Sequence, residues 1–378
     1  MSTRIENINK EIIEWAISRN GNIVEDFYSK NPNVKSWVEG EKFPTVKQLE
    51  AFTHKVHVPF GYMFLNAPPI EELPLPFFRT KGFKTNNNFS LNVFHTVQII
   101  QERQDWLTEY LEELNFDRLD FVGKFNLNSD YHDIVEDIRK ILKVDKTWAS
   151  EFSNWEDTLH HLIQRIEEIG IIVTFNGIVG SNTRRPLSVE ECRGFVLVNK
   201  LAPFIFVNNA DAPAAQLFTL IHELAHIWLG YSAGFNNENL LPADDPIEKL
   251  CDLTAAEFLV PEELLKSEWT KNNNNFQSLS RKFKVSPIVI ARRAMDLNLI
   301  NKTNFLEFYN NYMSEYLKKK ELSTPGGNYY YTTKKRLSLR FASFINSAVR
   351  TNKLLYRDAY KLTNLNGETY KKFVSEFL

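Results

Sequence analysis

Apolar residues recur at helical spacing along most of the chain. Residues 9–19 set Ile12, Ile13, Trp15 and Ala16 inward, and short helices follow at 23–28, around 34–37 and at 45–56. The last is opened by Thr45, an N-cap residue placed after Pro44. Longer amphipathic stretches at 92–114, 131–142 and 155–169 predict three more helices. The pattern then shortens. IIVTF at 171–175, CRGFVLVNK at 192–200 and APFIFVNNA at 202–210 are rich in β-branched and aromatic residues, which predicts a small sheet of about three strands. Residues 218–230, FTLIHELAHIWLG, are apolar nearly all round and predict a buried helix stopped by Gly230. A second helix is expected at 247–260, ending before Pro261. Beyond it, NNNN at 272–275 marks a turn, and residues 276–300 predict a helix pair whose second member starts at Ser286-Pro287. A helix closing in Lys318, Lys319 and Lys320, a Gly326-Gly327 turn, and helices at 337–350 and 357–378 complete the chain.

Two stretches interrupt this order. APPIEELPLPFFRT at 67–80 holds four prolines and reads as an extended linker, docked through Leu73, Phe77 and Phe78. Residues 231–246, YSAGFNNENLLPADDP, read as a polar loop, either a plain surface connection or a segment that covers a functional site and selects its substrate. The expected fold class is α+β and mostly helical. A helical domain at 1–66 leads into a linker at 67–90, a core with a small sheet at 91–300 and a basic helical domain at 301–378.

Composition changes this picture little, since 43% hydrophobic and 24% charged residues are ordinary for a soluble globular protein. Residues 1–13 lack the apolar core of a signal peptide and no run of about 18 apolar residues occurs, so a cytoplasmic protein with no membrane partner is expected. Cys192 and Cys251 are too few for a disulfide framework. Charge distribution says more than the net value of −2. Residues 301–378 carry 14 Lys/Arg against 6 Asp/Glu, and Lys334, Lys335 and Arg336 follow three tyrosines, a mixture suited to nucleic acid or to an acidic protein partner. Residues 1–65 hold 8 basic and 8 acidic side chains, without the positive surplus that phosphate contacts need.

The sharpest chemistry lies in HELAH. His222 and His226, four residues apart on a helix, project from one face a turn apart, which lets both imidazoles reach one zinc ion. Glu223 is rotated by about 100° from His222 and suits a general base acting on water at the metal's open position. A catalytic zinc takes three protein ligands, and Glu248 on the next helix supplies the third. Asp252, one turn further on, can hold a ligand imidazole by its second nitrogen.

The runs FTLIHELAHIWLG, ExxxD and FLVP resemble the ImmA/IrrE family of zinc metallopeptidases, and the resemblance extends through most of the chain. It implies Glu248 as third ligand, a zincin-like core, and an N-terminal XRE-type helix-turn-helix. That module is matched by VKSWVEGEKFPTVKQLEAF, and DNA binding would follow from it. A Glu-x-Arg-Gly-Phe strand is matched by Glu191, Arg193, Gly194 and Phe195. In such peptidases an edge strand can hold an extended substrate by main-chain pairing, so Arg193, Gly194 and Phe195 are candidates for that strand. The family implies a zinc endopeptidase that cuts a repressor or antitoxin-like regulator in a stress or defence switch. The competing expectation is a non-proteolytic antitoxin or transcriptional regulator that binds DNA or a neighbour-encoded toxin.

Overall fold

Four short helices form in the first 56 residues because each carries its own start signal. Asn9 caps α1 (Lys10–Arg19) by accepting from the Glu11 N–H, α2 (Val24–Lys30) has Glu25 and Asp26 in its first turn, and Pro32 opens α3 (Pro32–Val38). Thr45 and Gln48 form a reciprocal capping box on α4 (Val46–Val56). Their apolar faces bury Ile12, Ile13, Ala16, Ile17, Phe27, Leu49, Phe52 and Val56 together, with Phe52 meeting Phe27 and Trp37 edge-on. Only Asn31 separates α2 from α3. A DNA-reading helix-turn-helix joins its helices through three or four residues. The corner here is tighter, and Pro32 stiffens it.

In this computed structural model the described residues are 4–6, 8–71, 77–79, 90–236, 245–271, 275–321 and 329–378. They fall into two compact units, Met1–Pro74 with Thr85–His95, and Leu75–Lys84 with Thr96–Leu378. The expected turn at Asn272 to Asn274 and the Gly326-Gly327 turn lie outside the described residues.

The second unit contains β1 (Phe77–Arg79), the larger part of α5 (Leu91–Glu113), α6 (Tyr131–Leu142) and α7 (Trp155–Glu168). Strand β2 (Ile172–Phe175) follows, then the hairpin of β3 (Ile178–Val179) and β4 (Asn182–Pro186), then β5 (Gly194–Leu197) and β6 (Phe204–Val207). Helix α8 (Pro213–Leu229) is followed by β7 (Ala233–Asn236) and α9 (Pro246–Leu259). Helices α10 (Glu262–Trp269), α11 (Phe276–Phe283), α12 (Pro287–Asp296) and α13 (Lys302–Glu321) come next. The last four are α14 (Tyr329–Leu337), α15 (Leu339–Arg350), α16 (Tyr356–Thr363) and α17 (Gly367–Phe377).

The main sheet has five strands in the order β1-β7-β5-β6-β2. Strand β5 runs antiparallel to both β6 and β7, while β2 is parallel to β6 and β1 parallel to β7. Three of these strands are the expected ones. The other two come from stretches expected to be linker and loop, for Phe77–Arg79 and Ala233–Asn236 are recruited by pairing with distant backbone. Residues 357–378 also differ from the single helix expected. Asn364, left-handed at φ 54, ends α16, and α17 begins anew at Gly367.

Residues 301–378 fall within the second of these units. Phe341 of α15 packs edge-on against Trp106 and Phe204, and the buried Arg103 of α5 donates to the carbonyls of Leu362 (2.9 Å) and Arg336 (3.3 Å). The buried Phe341–Phe204 contact and the buried, carbonyl-bound guanidinium tie α14, α15 and α16 to α5 and β6. Among the described residues no helix is long and apolar enough to cross a membrane.

Candidate metal centre

Helix α8 begins with Pro213 at its first position and ends at Gly230, whose φ of 81 is the left-handed conformation that glycine adopts freely. Every side chain from Gln216 to Leu229 is buried. The last turn is anchored from outside. Gly123 and Phe125 donate their N–H groups to the carbonyls of Ile227 (2.9 Å) and Trp228 (3.1 Å), and a Cβ on Gly230 would lie 3.0 Å from the Gly123 Cα. Trp228 stacks on Phe121 and donates its indole N–H to Asp137 of α6 at 2.9 Å.

Helix α9 is placed by different means. Asp245 is its N-cap, accepting from the N–H groups of Ile247 (2.8 Å) and Glu248 (3.3 Å). At the other end Arg139 of α6 donates to the carbonyls of Phe258 (2.8 Å) and Glu257 (3.3 Å). The Glu257 side chain pairs with the buried Arg293 of α12.

These two helices bring His222, His226 and Glu248 to one point. His222 Nε2 lies 3.0 Å from Glu248 Oε2 and 3.2 Å from His226 Nε2, and His226 Nε2 lies 3.1 Å from Glu248 Oε1. Ligand atoms at about 2.0–2.1 Å from a tetrahedral zinc are about 3.3–3.4 Å apart, so the trio has close to the spacing of a zinc shell. A second observation fits a cation better than hydrogen bonding. Both carboxylate oxygens of Glu223 are buried without a hydrogen-bond partner among the described residues. Asp252 stands behind the trio, its Oδ1 3.0 Å from His222 Nδ1. If His222 donates from Nδ1, the lone pair of Nε2 is left facing the other two ligands. The equivalent nitrogen of His226 has no partner among the described residues.

The electrostatics follow from burial. His222, Glu223 and His226 are fully buried, and Glu248 is 4% exposed. Burial alone would discharge His222, but the Glu248 and Asp252 carboxylates outweigh it and push the imidazole up to about 10. Burial likewise works against Glu248, yet His222 and His226 hold its carboxyl down to about 2. For Glu223 burial dominates, only partly relieved by His222, and its carboxyl stands well above the usual carboxylate range. Nearby Cys251 is a buried free thiol, pushed up by desolvation, and Cys192 is similarly raised, to above the ordinary thiol range.

Strand β5 lies directly over this helix. A Cβ on Gly194 would fall 2.5 Å from Thr219 Cγ2, 2.9 Å from the Phe206 carbonyl oxygen and 3.2 Å from Glu223 Oε1. Gly194 therefore permits the sheet to approach Glu223 closely. The neighbouring candidates do other things: Arg193 pairs with Asp211 at 2.7 Å, and Phe195 stacks on Phe206 at 4.7 Å. The expectation that Arg193, Gly194 and Phe195 form a free substrate edge is corrected by the sheet order. Gly194 and Phe195 are paired on both sides, with Val207 and Phe206 in β6 and with Phe235 and Gly234 in β7.

Lys334, Lys335 and Arg336 lie on α14, away from the metal cluster in the sheet order's far margin where α14 meets β2. Lys335 is exposed, whereas the Lys334 ammonium sits 5.8 Å from the Phe377 ring and Arg336 gives its carbonyl to Arg103. Asp137 and Arg139 carry no mark in the sequence, whereas Asp245 stands there as one of two adjacent acids before Pro246. Only Asp245 left a signal there, an Asx residue before a proline that opens a helix.

Residues 167–295, which include β2, β5, β6, α8 and α9, match the peptidase family M78 model described as the IrrE N-terminal-like domain. Residues 337–376 match a domain of unknown function. No curated protein matches the chain.

Proposed function

The chain carries an ImmA/IrrE-family domain at residues 167–295, and from that premise we propose that it is a zinc-dependent endopeptidase. The observation that carries this reading is the convergence of His222, His226 and Glu248 within 3.2 Å beside a Glu223 carboxylate without a hydrogen-bond partner among the described residues. His222, His226 and Glu248 hold the ion, and Asp252 fixes the His222 ring. Zinc bound there supplies Lewis acidity to a peptide carbonyl and to a water molecule. Glu223 takes the proton of the attacking water on a carboxylate oxygen and returns it to the leaving amine nitrogen. The substrate, by the same family relation, is a regulatory protein of repressor or antitoxin type in a cytoplasmic stress or defence switch of a bacterium or phage.

Purified protein should contain one zinc per chain, and Glu223→Gln should keep the zinc while cleavage falls about 10²–10⁴-fold. A protein that takes up no zinc, or a Glu223→Gln variant that cuts normally, would sink the proposal.

A further inference from the structure

An extended peptide beside the metal centre needs a free strand edge, and the edge closest to Glu223 is β5. It is occupied. Strand β7 pairs antiparallel with β5 through Gly194↔Phe235, Phe195↔Gly234 and Val196↔Ala233. Gly194 is the residue whose Cα leaves room for the Glu223 carboxylate, so β7 covers the stretch of edge that flanks the base. The burial of the site agrees, since Glu223 and both histidines expose no surface at all.

We propose that β7 is a resident strand occupying, in cis, the position an extended peptide substrate takes on β5, and that it must be displaced before cleavage. This inference rests on the peptidase reading above. The strand is built to leave. Its sequence, Ala-Gly-Phe-Asn, contains two residue types depleted in strands, and its pairing with β5 spans three residues. On its outer side β7 pairs, among the described residues, with β1, itself three residues long. By contrast β6 pairs over four residues with each of its neighbours and is built of Phe-Ile-Phe-Val. The displaced occupant and the incoming one share a chemistry: a backbone in extended conformation, recognised by main-chain hydrogen bonds, with small side chains at the positions of Ala233 and Gly234.

Two measurements test this. Hydrogen exchange on the full-length zinc-loaded protein should show the amides of 233–236 exchanging at least about 100-fold faster than those of 204–207. Equal protection of the two strands would overturn the proposal whether or not the protein cleaves anything. The second measurement locks the strand. Directly opposed residues in an antiparallel pair have Cα atoms about 4.5 or 5.5 Å apart, both within disulfide reach. In the double variant Val196→Cys/Ala233→Cys, oxidation should therefore tie β7 to β5, with Ala233→Cys alone as control. With a mixture of quenched fluorescent peptides as probe, the oxidised form should cut at least about 10-fold more slowly than the same protein after reduction, with equal zinc content. Oxidised protein that cuts as fast as reduced protein overturns the proposal. Zinc-loaded protein that cuts nothing in either form refutes the peptidase reading instead, and the exchange measurement then decides whether β7 is displaceable.

Discussion

Replacing Gly194 by alanine probes the contact on which the whole site is built. The added methyl carbon would stand 2.5 Å from Thr219 Cγ2 and 2.9 Å from the Phe206 carbonyl oxygen, where carbon contacts normally begin at about 3.5 Å. Neither neighbour can swing aside. Thr219 is buried in α8 and the Phe206 oxygen belongs to the sheet backbone. The strand or the helix must move by about 1 Å, and overpacking of that kind costs about 1–3 kcal/mol. For a domain of this size each kcal/mol lowers the melting temperature by about 2–4 °C, so Gly194→Ala should melt about 5 °C lower than the natural protein. Thr219→Ser removes the nearest atom, Cγ2, but leaves the Phe206 oxygen. Added to Gly194→Ala, it should recover about 1 kcal/mol, a coupling that a double-mutant cycle measured by thermal melting detects. Because Glu223 Oε1 is the third neighbour, at 3.2 Å, cleavage should fall more steeply than stability. A Gly194→Ala protein that melts within 1 °C of the natural one, with purely additive behaviour in the cycle, would refute the close approach.

Asp252→Ala removes the carboxylate behind His222 and should weaken zinc binding about 10–100-fold in a competition titration with a fluorescent chelator. Asp245→Ala strips the N-cap from α9, which should cost about 1 kcal/mol in denaturant melts and loosen zinc as well, since Glu248 sits in the capped turn. Glu167 gives a pH signature remote from the metal. Burial raises its carboxyl, an effect moderated by the Ser338 hydroxyl and the Val173 N–H, so the folded protein binds this proton more tightly than the unfolded chain does. The stabilisation is complete below the ordinary carboxyl value of 4.5 and is lost as pH rises through the raised one. Melting temperatures of Glu167→Gln should therefore gain on the natural protein as pH increases from 4.5 to 7, and a constant difference would contradict the assignment.

The centre was largely legible because its spacing is local. His222 and His226 share a helix face, Glu248 and Asp252 share another, and a period of 3.6 residues is enough to group them. What sequence could not supply was the partner of each strand. Phe77–Arg79 sits among prolines and Ala233–Asn236 is a short glycine-containing run within a loop-like stretch, yet both pair in the sheet. Pairing is decided by which edge lies opposite, and no window of sequence records that. The same blindness leaves open, in sequence, whether β5 is an edge. Asn364 was missed for a different reason, for a left-handed Asn in the middle of an amphipathic run leaves the period almost intact.

Helix α6 gives the metal centre a property its ligands alone do not reveal. Asp137 and Arg139, two residues apart on it, grip the ends of two different helices: the Trp228 indole at the close of α8 and the last carbonyls of α9. One short rigid body thus gauges the distance between the helix that bears the imidazoles and the helix that bears Glu248. On the zinc reading proposed above, the cost of bringing three ligands together would be met when the polypeptide folds, so an arriving ion would encounter a preset cage and forfeit little of its affinity to ordering the chain. Changes at Asp137 or Arg139, remote from any ligand atom, would then be felt as a loss of grip on zinc.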